Sequence, residues 1–294
     1  MARPDRYRVG QPQRRAGFAP VPGYTLNNMT SIFARCLLAA ILLTVGCRIA
    51  PALAGDRIST RIEVYGLLGL HVLTLRSTLE VSDDRYAITV DYATTGVAGL
   101  VIDQRAHAQV RGRLTPVSAE PESYRNDTRR NGVDIHKVIQ YRPDGSVEGS
   151  ATPPPPEPVA SAAVRRTVDN LTAYFRLQRQ VTATKTCALT VPVFDGRDRY
   201  DLAFADAGQA TLSPEDGQQF EGAAVGCRIT RYLRDNNPDD EEVEGAERGT
   251  IWYASLLPGG VAVPVRMHLE TQIGTVDGFL AELHASGVDL RLME

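Results

Sequence analysis

The stretch HVLTLRSTLEVSDDRYAITVDYAT, residues 71–94, decides the fold. On either side of Asp83-Asp84 the side chains alternate with period two: Leu73, Leu75, Ser77, Leu79 and Val81 before the pair, and Tyr86, Ile88, Val90, Tyr92 and Thr94 after it. That period puts successive side chains on opposite faces of an extended chain, so the segment reads as two strands of an antiparallel meander with one buried face. Upstream, Ile58, Thr60, Ile62 and Val64 repeat the pattern. Downstream, Gly96 and Gly99 interrupt it, and residues 107–114 read as another strand before Pro116. Residues 122–129 and 133–141 then flank Asn131-Gly132, a dipeptide that tolerates the positive φ values of a two-residue hairpin turn, with Val133, Ile135, Ile139 and Tyr141 on one face.

Residues 145–158 carry four consecutive prolines at 153–156, which lack the donor a sheet ladder needs, so this segment reads as a loop. Beyond it Val164, Val168, Leu171 and Phe175 step by four, three and four, placing them on one face of an amphipathic helix over residues 160–180. Strand patterns resume at 189–194 and 199–205 around the Asp195-Gly196 turn, at Val225, Cys227 and Ile229, at 251–254, at 261–269, and at Val288, Leu290 and Leu292. The expected fold is mainly β: a large curved antiparallel sheet or open half-barrel of about ten strands with one amphipathic helix.

The N-terminus reads as targeting rather than structure. From Met29 the chain shows a short region with Arg35, an apolar stretch from Cys36 to Val45, and Ala52-Leu53-Ala54 before Gly55. This is the pattern of a secretory signal peptide over residues 29–54, cleaved between Ala54 and Gly55, and its apolar core falls short of the roughly 20 residues a spanning helix needs. Residues 1–28 read as an extension from a mis-assigned start. Lipid anchoring at Cys47, after Thr44-Val45-Gly46, and retention as an uncleaved anchor are the minor alternatives. The expected mature chain is one β-rich periplasmic domain over 55–294, with no permanent membrane span.

The full chain has 32 basic and 35 acidic residues. Seven arginines and one aspartate lie in the first 54 residues, so the remaining 25 basic and 34 acidic groups give the mature part a charge of −9. Without a basic patch, nucleic acid and anionic membrane readers are disfavoured partner classes. Cys36 and Cys47 leave with the leader. Cys187 and Cys227 remain as a pair with no CxxC spacing, which in an oxidising compartment reads as a disulfide.

No GxSxG, HExxH, P-loop or dinucleotide fingerprint is present, and neither metal nor cofactor is expected. His71, His107, His136, His268 and His284 are scattered and read as strand-face residues. Asp195, Asp198 and Asp201 interleave with Arg197 and Arg199 and read as a salt-bridged hairpin, although two such carboxylates facing a cleft would serve a hydrolase. Asp239, Asp240, Glu241, Glu242 and Glu244 read as a solvated loop. Tyr86, Tyr92, Tyr141, Trp252 and Tyr253 lie on strand faces that a sheet curving without closing leaves open to a ligand, unless the helix covers them as core.

The order of Gly69-Leu70, Asp84-Arg85-Tyr86, Thr94-Thr95-Gly96, Val168-Asp169-Asn170-Leu171-Thr172, Cys187, the run from Val193 to Tyr200, Cys227 and Pro264-Val265-Arg266 resembles domain of unknown function 3108, a family of exported, mostly proteobacterial proteins. The resemblance covers most of the mature chain and implies a periplasmic β-rich fold akin to the open half-barrels of lipoprotein carriers. It transfers no catalytic residue. The leading expectation is a non-enzymatic binding or carrier module for a lipid-like or amphiphilic ligand. The rivals are a cell-envelope scaffold acting through protein contacts and a hydrolase of envelope polymers using Asp195 and Asp198.

Overall fold

The computed structural model describes residues 56–96, 98–234, 248–271 and 274–293. The extension over 1–28, the signal peptide with its Ala54/Gly55 cleavage point, Cys47 and the acidic run at 239–244 lie outside the described residues.

Strands β1 (Asp56–Tyr65), β2 (His71–Val81), β3 (Arg85–Thr94), β4 (Gln104–Leu114), β5 (Ala119–Arg130), β6 (Val133–Tyr141) and β7 (Val147–Thr152) form one antiparallel meander. A second meander comprises β8 (Leu189–Phe194), β9 (Arg199–Leu212), β10 (Gly222–Leu233), β11 (Arg248–Ser255), β12 (Ala262–Thr271) and β13 (Gly274–Ala285), with β14 (Val288–Arg291) paired onto β13. Pairing of β1 with β13 fuses the two into one 14-stranded sheet whose edges are β7 and β8. The connection between those edges carries α2 (Asn170–Thr184), and a four-residue turn of helix, α1 (Ala98–Val101), links β3 to β4.

Helix α2 starts where its cap allows. The Asp169 carboxylate accepts the Thr172 N–H at 2.8 Å, and Lys185 closes the last turn in the left-handed conformation, donating its N–H to Val181 O. Ala173, Leu177 and Val181 pack with Val191, Leu202, Phe204, Ile251 and Tyr253 of the second meander. Phe175 and Leu171 pack with Tyr86, Val110, Tyr124 and Ile139 of the first. Both halves of the sheet therefore curl around one helix, as an open half-barrel.

Three expectations change. The strands number fourteen among the described residues, not ten. The helix begins at Asn170, not at 160: Val164 is buried from a run of turns over 161–166, and Val168 from a parallel bridge with Val193. The loop expected from 145 begins at the prolines, since Val147–Thr152 pairs with β6 and proline ends the ladder only at Pro153.

Strand hydrogen bonds do not join β7 to β8. Side chains close that seam instead. Lys137 of β6 donates to Asp195 Oδ2 at 2.9 Å with both residues buried, and Asp195 Oδ1 accepts the N–H groups of Arg197 and Asp198 at 2.9 Å. The Phe194 ring lies so close to Gly149 of β7 that a Cβ there would come within 2.4 Å of it. Between β12 and β13, pairing stops at Arg266 and Phe279. There the fully buried Gln218 amide donates to Val265 O at 2.7 Å and to Leu280 O at 3.1 Å, substituting for ladder bonds the diverging strands cannot make.

Candidate functional site

The half-barrel has two unlike ends. Helix α2 is tied to the end that carries the β4–β5 and β11–β12 turns. Arg176 and Arg179 donate to Ala119 O and Thr115 O, Gln178 to Ala262 O, and Lys185 to Ser255 Oγ and Gly260 O. The Cys187–Cys227 disulfide follows directly and bonds the chain after α2 to β10. The helix is a tethered plug.

The opposite end carries the β1–β2, β3–β4, β5–β6 and β8–β9 turns, as the strand registers require. Five of the six large apolar side chains exposed among the described residues lie there: Leu68, Leu70, Val133, Tyr232 and Leu233. Val117, in the β4–β5 turn, is the exception. By strand alternation Val133 shares the α2-side face with Ile139, and Leu233 with Ile229. Apolar side chains thus rim the mouth that the helix leaves uncovered.

The five aromatic residues singled out in the sequence are not brought together. Tyr86 is buried under α2, its hydroxyl 2.8 Å from Thr172 Oγ1 and its ring 5.0 Å from that of Phe175; burial pushes its phenol above the usual range. Tyr253 is covered by the same helix from the other side, and burial raises it likewise. Tyr141 places a buried hydroxyl, without a hydrogen bond of normal geometry, near Asp169. Trp252 lies against Gly226 on the face away from Tyr253. Tyr92 accepts from Gln104 Nε2 at 2.8 Å, towards the open end. A ligand at the mouth would reach Tyr92; Tyr86 and Tyr253 would need α2 to move.

Asp169 is fully buried at the head of the plug, and burial pushes its carboxyl up to about 6, against the Thr172 hydrogen bonds that favour the charged form. A folded-state value raised above the ordinary 3.8 gives stability that is complete below that value and lost as pH rises through about 6. Asp169→Asn keeps the cap acceptor and removes the titration. The stability difference between wild type and this variant should therefore shift by about 1 kcal/mol between pH 5 and pH 7.5, the wild type gaining at the lower pH. Urea unfolding of both proteins at the two pH values measures it; a difference independent of pH would contradict the buried ionisation.

The aspartates read as a salt-bridged hairpin, with a hydrolase as the rival, include two in ion pairs: Asp195 spends both oxygens on the seam, and Asp201, which partial burial would raise, is held below the usual range by Arg199 at 2.6 Å and Arg234 at 2.8 Å. The five histidines each meet a carboxylate across neighbouring positions: His71 with Glu63, His107 with Asp91, His136 with Asp127, His268 with Asp277 and His284 with Asp289, at 2.6–3.0 Å. Sequence reasoning missed this pattern because it depends on register. His107, Asp127 and His136 sit directly opposite one another on β4, β5 and β6, in an open groove of about 390 Å³ with Arg76 and Asp91. Among the described residues no group of three or more His, Cys, Asp or Glu side chains is placed to hold a metal ion.

The family model described as Protein of unknown function (DUF3108) matches residues 59–281. The chain belongs to this family. No curated protein matches it. Among solved structures it is similar to the crystal structure of a β-barrel-like protein of the domain of unknown function DUF1849 from Brucella abortus, at 12% identity and a TM-score of 0.46, covering 79% of this chain and 98% of that one. In this DUF3108 chain the segments that carried the resemblance do identifiable work: Val193 to Asp198 forms the seam, Asp169 to Thr172 caps the plug, and Cys187 and Cys227 form the disulfide.

Proposed function

We propose that this DUF3108 protein is a non-enzymatic binding module of the cell envelope, exported to the periplasm, that takes a lipid-like or amphiphilic ligand at the mouth opposite α2. The observation that carries this reading is the segregation of exposed apolar side chains to the end without the plug, including the mouth-facing Val133 and Leu233. The buried Cys187–Cys227 bridge supports an oxidising compartment.

A scaffold role through protein contacts is the second reading. It is favoured by the burial of Tyr86 and Tyr253 beneath the helix, which leaves little interior for a ligand. Native mass spectrometry with organic extraction separates the two, on chain expressed with its own leader and purified without detergent. The expected result is a near-stoichiometric amphiphile that is lost in a Val133→Asp, Leu233→Asp double variant of unchanged circular dichroism. A clean apo mass would remove the carrier reading and leave the scaffold.

A further inference from the structure

The β1–β2 turn, Gly66-Leu67-Leu68-Gly69-Leu70, joins two features that selection for stability alone would remove. Leu68 sits in the left-handed region at φ 64 and ψ 22, where the Cβ of any residue but glycine crowds the following carbonyl. Its side chain is also 87% exposed, and Leu70 is 47% exposed beside it. Glycine at 68 would relieve the conformation and remove the exposed surface together. The turn is nonetheless well fixed. Gly66 N–H donates to Leu70 O at 2.9 Å and Gly69 N–H to Gly66 O at 3.1 Å. Its base is clamped by His71, which bonds Glu63 at 2.7 Å and Thr95 Oγ1 at 3.1 Å and packs its ring 5.2 Å from that of Tyr65. A strained, water-facing leucine is thus held on a firm stalk at the end of the sheet where the ligand mouth lies.

We propose that this turn is a lipid anchor that inserts Leu68 into the surface of a bilayer, so that the mouth faces the layer from which an amphiphile would be drawn; this deepens the carrier reading and rests on it. The geometry favours lipid over a protein partner. A stable protein interface buries about 800 Å² on each side, more than a tip presenting Leu68 and Leu70 can supply. The other exposed apolar groups at this end, on β6 and β10, stand on separate strands rather than forming one flat patch. A fluid acyl layer needs no shape complementarity and accepts single side chains, each burial of a leucine strengthening partition by on the order of tenfold.

Flotation of the exported chain, expressed with its own leader, with zwitterionic vesicles of phosphatidylethanolamine and phosphatidylcholine tests the anchor. Wild type should partition onto the vesicles, and Leu68→Gly should weaken partition by roughly tenfold while raising the melting temperature. That opposition distinguishes an anchor from a structural leucine, whose loss would lower stability. Leu68→Asp should abolish flotation without the thermal gain. Equal flotation of wild type and Leu68→Gly, absence of wild-type binding at millimolar lipid, or concentration-dependent self-association in place of vesicle binding would each overturn the proposal. Loading with a soluble fatty acid, read by native mass spectrometry, keeps the two ideas apart. Loading by a chain that does not float would leave the carrier reading and remove the anchor, whereas Leu68-dependent flotation with no loading would do the reverse.

Discussion

Lys137→Met should destabilise the protein by about 3–5 kcal/mol, because it strands Asp195 as an unpaired charge inside the seam. Both side chains are more than nine-tenths buried, and their contact is 2.9 Å. Burial pushes the Asp195 carboxyl up, but the Lys137 charge and the N–H groups of Asp198 and Arg197 outweigh it and leave it below the usual range. A depressed value means stability that is present above the unfolded pKa and lost as pH falls through the folded one, here below the ordinary 3.8. In Lys137→Met burial is no longer opposed by the ammonium. Asp195 then titrates at higher pH, and the gap between variant and wild type should narrow on acidification. The double variant Lys137→Met, Asp195→Asn should recover much of the loss, since asparagine still accepts the two backbone N–H groups and no charge is left behind. Urea unfolding of the three proteins gives the comparison. A single-variant loss under about 1 kcal/mol would mean that the seam is solvated and that the edges are held by Phe194 on Gly149 instead.

That seam also shows how far sequence reading reaches. Strands with one solvated face were legible, because β2, β3 and the hairpin of β5 and β6 keep period two and turn on Asp-Asp or Asn-Gly. Strand β13 was not, although it joins the two meanders. Its Phe279, Leu280 and Ala281 are all buried, and the register slips opposite Arg61 and Ile62, so a continuous apolar run replaces alternation. Val164 and Val168 matched helical spacing and were buried as that spacing implied, yet they reach the core from a run of turns and from one parallel bridge; the signal that decides the helix start is the Asp169 cap. Lys137 looked like one more polar residue in an alternating strand. Its importance depends on Asp195, 58 positions away, and on which strands end up at the sheet edges. The mouth was not read from the sequence, although leucines between the strand patterns of β1 and β2 occupy a turn where polar residues are the rule, which is the signal that could have marked Leu68.

Removing the Cys187–Cys227 bridge, by Cys187→Ala with Cys227→Ala, should cost about 4 kcal/mol on the chain-entropy account of a loop this long. The two residues are 40 apart in sequence, and both are fully buried. The loss should also be uneven. Cys187 lies two residues beyond the left-handed Lys185 that ends α2, and its N–H bonds Asp206 at 2.6 Å, so the bridge ties the C-terminal end of the plug to β9 and β10. Without it, amide exchange in residues 170–184 should accelerate more than exchange in β1 to β6, whose contacts do not pass through the disulfide. An unchanged melting temperature after reduction would contradict the account at its root. Exchange that rises evenly across the sheet would mean that α2 is held by its side-chain hydrogen bonds alone. The outcome also bears on how a ligand enters. If the bridge-free protein binds more fatty acid than the oxidised one, the buried Tyr86 and Tyr253 become reachable when α2 loosens, and the disulfide sets how far the plug can open. If binding is unchanged, the ligand stays at the mouth, and the plug serves only to fix the wall behind it.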